Sequence, residues 1–413
     1  MPDFELPGDL DAAAFGAAVE LLSRLTAESS PSTDPAGLRR FAARLAGELE
    51  RRGLAARVDE AAGAGGVSLP LLVAESTPGT APLLLLGHLD TVLAAAAPRR
   101  EAERLYATGA IDMKGGIATL LAALDRLAAR GRPPAAGLRL VLVPDEEVAG
   151  EISRRATAEH GATARAVWVL EPGQPAADGT ETIVLGRRGM ATFRLDVRGR
   201  AAHSGLHFWH GRSAVVAAAE WCAAAAALSR PGDGPTVSLA RIVGGDASFV
   251  ENLAEQAALV GSEAQLNVVP ARAVVEGEFR FLHAGDREEV AAALAGEARA
   301  VAERREVEAR LAFAGAVPPV EPTPRRRAAA ARVVELARRR GWTLEVEVDR
   351  GGISFPNFLP AGTDVPVVDG LGPVGGGMHT RDEHVDLRSY ARRIVLLADL
   401  LAAEAAGGAG DSA

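Results

Sequence analysis

A single cysteine, Cys222, stands among 413 residues, so no internal disulfide can form and the fold must hold without covalent staples. Such a chain suits a reducing compartment. As a nucleophile Cys222 lacks any activating neighbour in sequence; it lies in the Ala-rich run Ala217 to Leu228 and reads as a buried structural thiol. Positive charge is also in short supply. Lys and Arg number 45 against 54 Asp and Glu, giving a net charge of -9 with no long basic run, which argues against a nucleic-acid binder. No stretch approaches the ~18 uninterrupted apolar residues of a membrane span. Asp3 and Glu5 occupy the place where a secretory signal carries positive charge, and no apolar segment follows them. No internal repeat is visible, and the Gly/Ala/Asp tail from Ala406 to Ala413 predicts disorder. These absences predict a cytoplasmic protein with neither nucleic acid nor membrane as partner.

What is present is ordinary globular material. At 48% hydrophobic and 24% charged the chain can bury a sizeable core, and its length suggests two or three domains at about 150 residues each. Phe15, Val19, Leu22 and Leu25 recur at helical spacing over Asp11 to Leu25. A second helix is expected after Asp34, with Pro35 at its first position, ending near Gly53. Short, almost wholly apolar runs follow at Leu83 to Leu86, Leu138 to Val143, Val167 to Leu170 and Val365 to Val368. Runs of this kind suit strands covered on both faces, and the helical segment Gly115 to Arg130 fits an α/β crossover. In the middle, Thr192 to Val197 alternates as a strand, Ser213 to Leu228 reads as a helix, and Thr236 to Val243 and Ala273 to Phe281 as further strands. The expected architecture is therefore an α/β domain with a mixed, mostly parallel sheet, formed by residues 1–187 and 318–413. A small α+β domain, residues 188–317, is inserted into it.

The residues that follow the buried runs carry the chemistry. They are Gly87-His88-Leu89-Asp90, Pro144-Asp145-Glu146-Glu147, Glu171-Pro172-Gly173, and a glycine-rich loop that ends in Met378-His379. Open α/β sheets bind ligands at the carboxyl ends of their strands, so these loops should converge on one crevice. Imidazole and carboxylate are suitable ligands for zinc, while a lone cysteine rules out a thiolate cage. Two histidines with three carboxylates suit a pair of divalent ions sharing one carboxylate, an arrangement that polarises a carbonyl and activates a water. Asp90 lies two residues after His88 and, in an extended segment, shares its face, so it can orient the imidazole. Of the adjacent Glu146 and Glu147, one can bind metal while the other serves as general base.

Gly87-His88-Leu89-Asp90-Thr91-Val92, Gly109-Ala110-Ile111-Asp112-Met113-Lys114-Gly115-Gly116, Asp145-Glu146-Glu147 and Gly376-Gly377-Met378-His379-Thr380 together resemble the M20 metallopeptidase family. The likeness is greatest to its glutamate carboxypeptidase branch, with acetylornithine deacetylase and succinyl-diaminopimelate desuccinylase as relatives. The resemblance implies a zinc-peptidase-like catalytic domain and an inserted lid that makes a homodimer. It implies His88, Asp112, Glu147, Glu171 and His379 as ligands of two ions, zinc or else cobalt or manganese, with Asp112 bridging. It implies Glu146 as general base and Asp90 as the support of His88. His203, in Gly199-Arg200-Ala201-Ala202-His203-Ser204-Gly205, matches a lid histidine that stabilises the oxyanion from the partner subunit. Asn267 and Arg280 match lid positions at the substrate.

Two departures bear on specificity. Gly351-Gly352-Ile353-Ser354 is followed by Phe355 where the family has an aspartate, which places an aromatic ring among the expected substrate contacts. The segment Phe313 to Val320 lacks the arginine, and Thr182 replaces the lysine, that glutamate-releasing relatives use for a substrate carboxylate. The expected reaction is hydrolysis of an amide in an N-acyl amino acid or small dipeptide-like substrate, with general scavenging and deacylation of a specialised intermediate both open. A metal-binding homologue that has lost catalysis is the second reading. A nucleotide loop at Gly370-Leu-Gly372-Pro-Val-Gly375 is the weakest, because Pro373 interrupts it and no helix is expected to open there. Arg187 and Arg188 read equally well as substrate-facing or merely exposed.

Overall fold

The computed structural model describes residues 4–76, 82–134, 136–176, 178–252 and 267–407. Of the expected disordered tail, Ala406 and Gly407 instead close the last helix, and 408–413 lie outside the described residues. The chain divides into two compact units. One is Met1–Leu185 with Pro322–Val348 and Ser354–Ala413; the other is Gly186–Glu321 with Asp349–Ile353.

The first unit is organised by a six-stranded sheet in the order Ala55–Ala62, Ser68–Glu75, Leu138–Val143, Leu83–His88, Ala166–Val169, Val367–Val368. The last four strands run parallel, Ser68–Glu75 joins them antiparallel and Ala55–Ala62 pairs antiparallel with it in turn, the mixed and mostly parallel sheet anticipated from the apolar runs. Leu83 to Leu86 are fully buried, as a central strand covered on both faces requires. The run at Val365 to Val368 pairs over only Val367–Val368. Asp11 and Asp34 cap the helices Ala12–Thr26 and Pro35–Glu50 through their carboxylates. Ala12–Thr26 packs on Lys114–Ala128, which packs on Leu387–Gly407. Glycine is required at Gly116, where a Cβ would lie 1.9 Å from the Leu170 carbonyl oxygen. That close approach seats the helix Lys114–Ala128 against the chain just before Glu171.

The second unit holds a four-stranded antiparallel sheet in the order Thr236–Gly245, Arg272–Phe281, Gly189–Arg198, Glu308–Val317. Along Gly189–Arg198 the odd-numbered Ala191, Phe193, Leu195 and Val197 are buried, the period of two that marks a strand with one covered face. Helices Ala214–Ala226 and Ala284–Arg305 supply the rest of this core. Trp221 is buried at its centre, edge-on to Phe193 and donating from Nε1 to the Leu294 carbonyl at 3.1 Å. Cys222 beside it is half-buried, not the fully buried thiol expected. The separate segment Asp349–Ile353 is drawn into this unit by Arg188, whose N–H donates to the Arg350 carbonyl, and by the Arg187 guanidinium, which donates to the Gly352 carbonyl.

Candidate metal centre

The parallel strands of the first unit end in loops that carry candidate ligating side chains. His88 closes the strand Leu83–His88 and is fully buried. Its Nδ1 lies 2.9 Å from the Asp90 carbonyl oxygen and 3.4 Å from the Asp90 carboxylate. A proton on Nδ1 is therefore held by Asp90, and Nε2 is directed to other partners. Nε2 lies 3.0 Å from Asp112 Oδ1 and 3.8 Å from Glu171 Oε1. The second oxygen of Asp112 lies 3.1 Å from His379 Nε2, which is 3.2 Å from Glu147 Oε2. His379 occupies the left-handed region, φ 63°, in the turn between Gly375–Gly376 and His384–Asp386.

Two groups of potential ligand atoms result, His88 with Asp112 and Glu171, and Asp112 with Glu147 and His379, each with its atoms within 4.8 Å of one another. Asp112 belongs to both, one oxygen turned to each imidazole. Imidazole nitrogen and carboxylate oxygen at this density make a donor set for divalent cations of the zinc type. The electrostatics agree. Burial alone would lower the pKa of His88, yet Asp112, Asp90 and Glu171 push it well up. The bond to Asp112 raises that of His379, while burial and the Asp112 charge raise that of Glu147. Negative charge in excess of what the side chains can neutralise is the condition that bound cations relieve.

Several supporting residues escape sequence reasoning. Asp90 does more than steady His88: its two oxygens accept the backbone N–H groups of Glu146 and Glu147, both at 3.2 Å, and the Ser32 hydroxyl donates to it at 2.7 Å. One buried carboxylate thus fixes an imidazole and the acidic pair together. Asp145 faces away, accepting from Ile152 and Ser153 N–H at 3.0 and 2.9 Å at the start of the helix Glu151–Gly161. Ser354 donates to Glu171 at 3.3 Å. Glu383, given no role from sequence, accepts three backbone N–H groups of the Asp112 loop. Lys114 is buried over the Phe41 ring, 4.2 Å from its centroid, and burial lowers its pKa to about 7.

Other expectations change. Phe355 is fully buried, its ring centroid 6.4 Å from that of His88; a ring with no exposed surface backs the histidine and has no face to offer a substrate. Arg187 and Arg188 are not merely exposed side chains. Both are buried, the first bonded to the Gly352 carbonyl and the second to the Gly232 and Gly234 carbonyls and to Asp349. Thr182 is buried, its hydroxyl accepting from Gln174 N–H. The glycine-rich loop at Gly370 opens no helix and runs on to His379.

His203, Asn267 and Arg280 belong to the second unit. Arg280 is half-buried, with Nε on Glu278 and Nη1 on the Gly351 carbonyl. Asn267 is exposed, and its carbonyl accepts from Ser204 N–H. His203 is exposed, and its Nδ1 accepts the N–H groups of Gly205 and Leu206 at 3.1 and 3.2 Å, so the neutral ring carries its proton on Nε2. The same loop presents Leu206, Phe208 and Trp209 to solvent, Trp209 at 85%. It is pinned from below by Arg200 on the His210 carbonyl and by Arg212 on the Trp209 and Gly211 carbonyls.

Residues 84–403 match the family model for peptidase family M20/M25/M40. The chain is 26% identical over 326 residues to carboxypeptidase G2 of Pseudomonas sp. (strain RS-16), covering 77% of this chain and 73% of that protein. It is 28% identical over 386 residues to succinyl-diaminopimelate desuccinylase of Variovorax paradoxus (strain S110), covering 89% and 93%. In fold it is similar to the crystal structure of aminopeptidase PepT from Bacillus cereus ATCC 10987, with TM-score 0.77 at 20% identity over 95% of this chain and 99% of that one.

Proposed function

The chain belongs to peptidase family M20/M25/M40 and is a metal-dependent amide hydrolase; from that premise we propose that it cleaves a small N-acyl amino acid or dipeptide-like amide at the two ligand groups that share Asp112. The carrying observation is that sharing, with Glu146 adjacent to the ligand candidate Glu147. His88, Asp112, Glu147, Glu171 and His379 would hold two divalent cations, zinc with cobalt or manganese as substitutes, and such ions would supply polarisation of the substrate carbonyl and a lowered pKa for a water.

Glu146 takes the proton of that water and passes it to the leaving nitrogen, the ordinary double duty of a carboxylate general base. Asp90 keeps Glu146 in place through its backbone N–H and holds the proton on His88 Nδ1. His203, protonated on Nε2, donates to the oxygen on which negative charge develops. That donor comes from the second unit of a partner copy in a homodimer. Asn267 and Arg280, held on the same unit, bound the substrate. The cytoplasm is the proposed location; among the described residues, no helix is long and apolar enough to cross a membrane.

Specificity follows from which cations are absent or engaged. Thr182 offers none, Phe313 to Val320 contains no arginine, Arg187 and Arg188 are bonded to backbone carbonyls, and Arg280 is engaged by Glu278 and the Gly351 carbonyl. A neutral side chain beside the scissile amide is therefore favoured over a carboxylate. Losing a charge-assisted hydrogen bond costs about 1.5–3 kcal/mol, roughly one to two decades in rate. The test is elemental analysis together with hydrolysis of N-acyl leucine, N-acyl phenylalanine and N-acyl glutamate in competition. About two ions per chain, chelator-sensitive turnover and preference for the neutral compounds are expected. Metal uptake with no turnover across a broad amide panel would favour a binding protein, and preference for glutamate would refute the specificity.

A further inference from the structure

Glu383 accepts the N–H of Gly109 on one carboxylate oxygen at 2.8 Å, and those of Ile111 and Asp112 on the other at 3.0 and 3.1 Å. It is 4% exposed. Its own carbonyl accepts from Ala107 N–H at 3.0 Å. A buried acid with three backbone donors and no arginine or lysine among these bonds is an anchor for a loop, and the loop it anchors ends in the shared ligand. Glu383 also lies four residues after His379, in the hairpin whose strands are Gly375–Gly376 and His384–Asp386. One side chain thus joins the segment bearing His379 to the segment bearing Asp112.

We propose that Glu383 is a positioning residue that fixes the spacing of Asp112 and His379 and so sets the affinity of the ion held by Asp112, Glu147 and His379. The inference rests on the two-ion reading given above. The two ligand groups should feel its loss unequally. Asp112 is held a second way, by the buried helix that begins at Lys114, while His88 ends and Glu171 follows strands that are paired on both sides. His379 is half-exposed, in the turn of a hairpin whose strands pair over two residues. Freed from Glu383, that hairpin shifts against Asp112 more readily than the strands bearing His88 and Glu171. Groups behind metal ligands characteristically govern affinity by about 10–100-fold.

Glu383→Gln separates this role from simple structural support. The amide oxygen can still accept from Ile111 and Asp112, but its NH2 then meets the Gly109 N–H, donor against donor. The variant and the wild type are titrated with Zn²⁺ and with Co²⁺ by calorimetry and by visible absorption, and melted in chelator to read the metal-free fold. The expected result is one ion bound within about threefold of wild type and a second weakened at least about tenfold, with a near-wild-type melt in chelator. Combining the change with His379→Ala should add no further loss, whereas combining it with His88→Ala should. Should Glu383→Gln fail to fold, Glu383→Asp keeps the charge with a shorter reach and is expected to show the same selective loss. Two ions bound as in the wild type, or both weakened equally along with the metal-free melt, would overturn the proposal. A wild-type chain that takes up no second ion would remove the two-ion premise and this inference together.

Discussion

Asp145, Glu146 and Glu147 are three adjacent acids with three fates, decided by what each one meets. Asp145 accepts the first amides of a helix and becomes part of its cap. Glu147 meets His379, and Glu146 stands half-buried beside it with its N–H on Asp90. Glu146→Gln keeps the shape and removes the basicity, so it should bind metal normally while turnover falls about 10²–10⁴-fold. Kinetics and elemental analysis on the same preparation check this, and near-normal turnover in the metal-loaded variant would give the proton transfer to another group. At this scale the sequence displays a residue well when local words surround it: His88, Asp112, Glu147 and His379 all stand in distinctive motifs. Ser32 and Glu383 do not, and the motif around Ser354 does not name its partner; the three reach partners 58, 183 and 271 to 274 residues away. A lone serine or glutamate carries no local sign of such a partner.

Elements are legible where burial imposes a period. The parallel strands at Leu83 and Leu138 stand out because both their faces are covered, and Pro35 and Asp34 mark a helix start. The antiparallel strand Ala55–Ala62 escapes notice because it is mostly exposed and does not alternate. Glu308–Val317, exposed along most of its length, is missed for the same reason. Gly116 gives a test of helix placement: Gly116→Ala sets a methyl against the Leu170 carbonyl and should cost about 1–3 kcal/mol as overpacking does. Because Glu171 comes next, metal affinity should fall along with the melting temperature; an unchanged melt would mean that the helix moves away freely. Asp9 tests how the start of the chain is tied down. It pairs with Arg126 and Arg130 around the end of the helix Lys114–Ala128, and with Arg340 after the helix Pro324–Arg339. Burial alone would raise its pKa, but the arginine bonds outweigh burial and hold it at about 2, below its ordinary 3.8. A depressed carboxylate gives stability that is present above the unfolded pKa and lost as pH falls through the folded one. Asp9→Asn should therefore show a flatter fall in melting temperature from about pH 4 to about pH 2 than the wild type does. Asp9 is partly exposed, so the difference is expected to be small, and parallel curves in calorimetry would show that the cluster contributes nothing.

For the whole molecule, the order of motifs along the chain conveys the kind of fold, while the proposed pairing with a second copy rests on the segment around His203 alone. Complementation addresses it directly. If His203 serves the site of a partner, Glu146→Gln and His203→Ala chains, each inactive, should regain activity on mixing. With random pairing, about one site in four then carries both groups intact. No recovery, under conditions where subunits demonstrably exchange, would confine His203 to its own chain or to no role. The loop bearing His203 also comes with a natural reporter. Of four tryptophans, Trp168 and Trp221 are buried and Trp342 is half-buried, while Trp209 stands in water on that pinned loop. Its indole should emit at the red edge of the intrinsic fluorescence and be the one most open to iodide. Whatever settles on the loop, substrate or second copy, should shift that emission to the blue and shield it from the quencher, so its arrival could be timed in a stopped-flow instrument with no label attached.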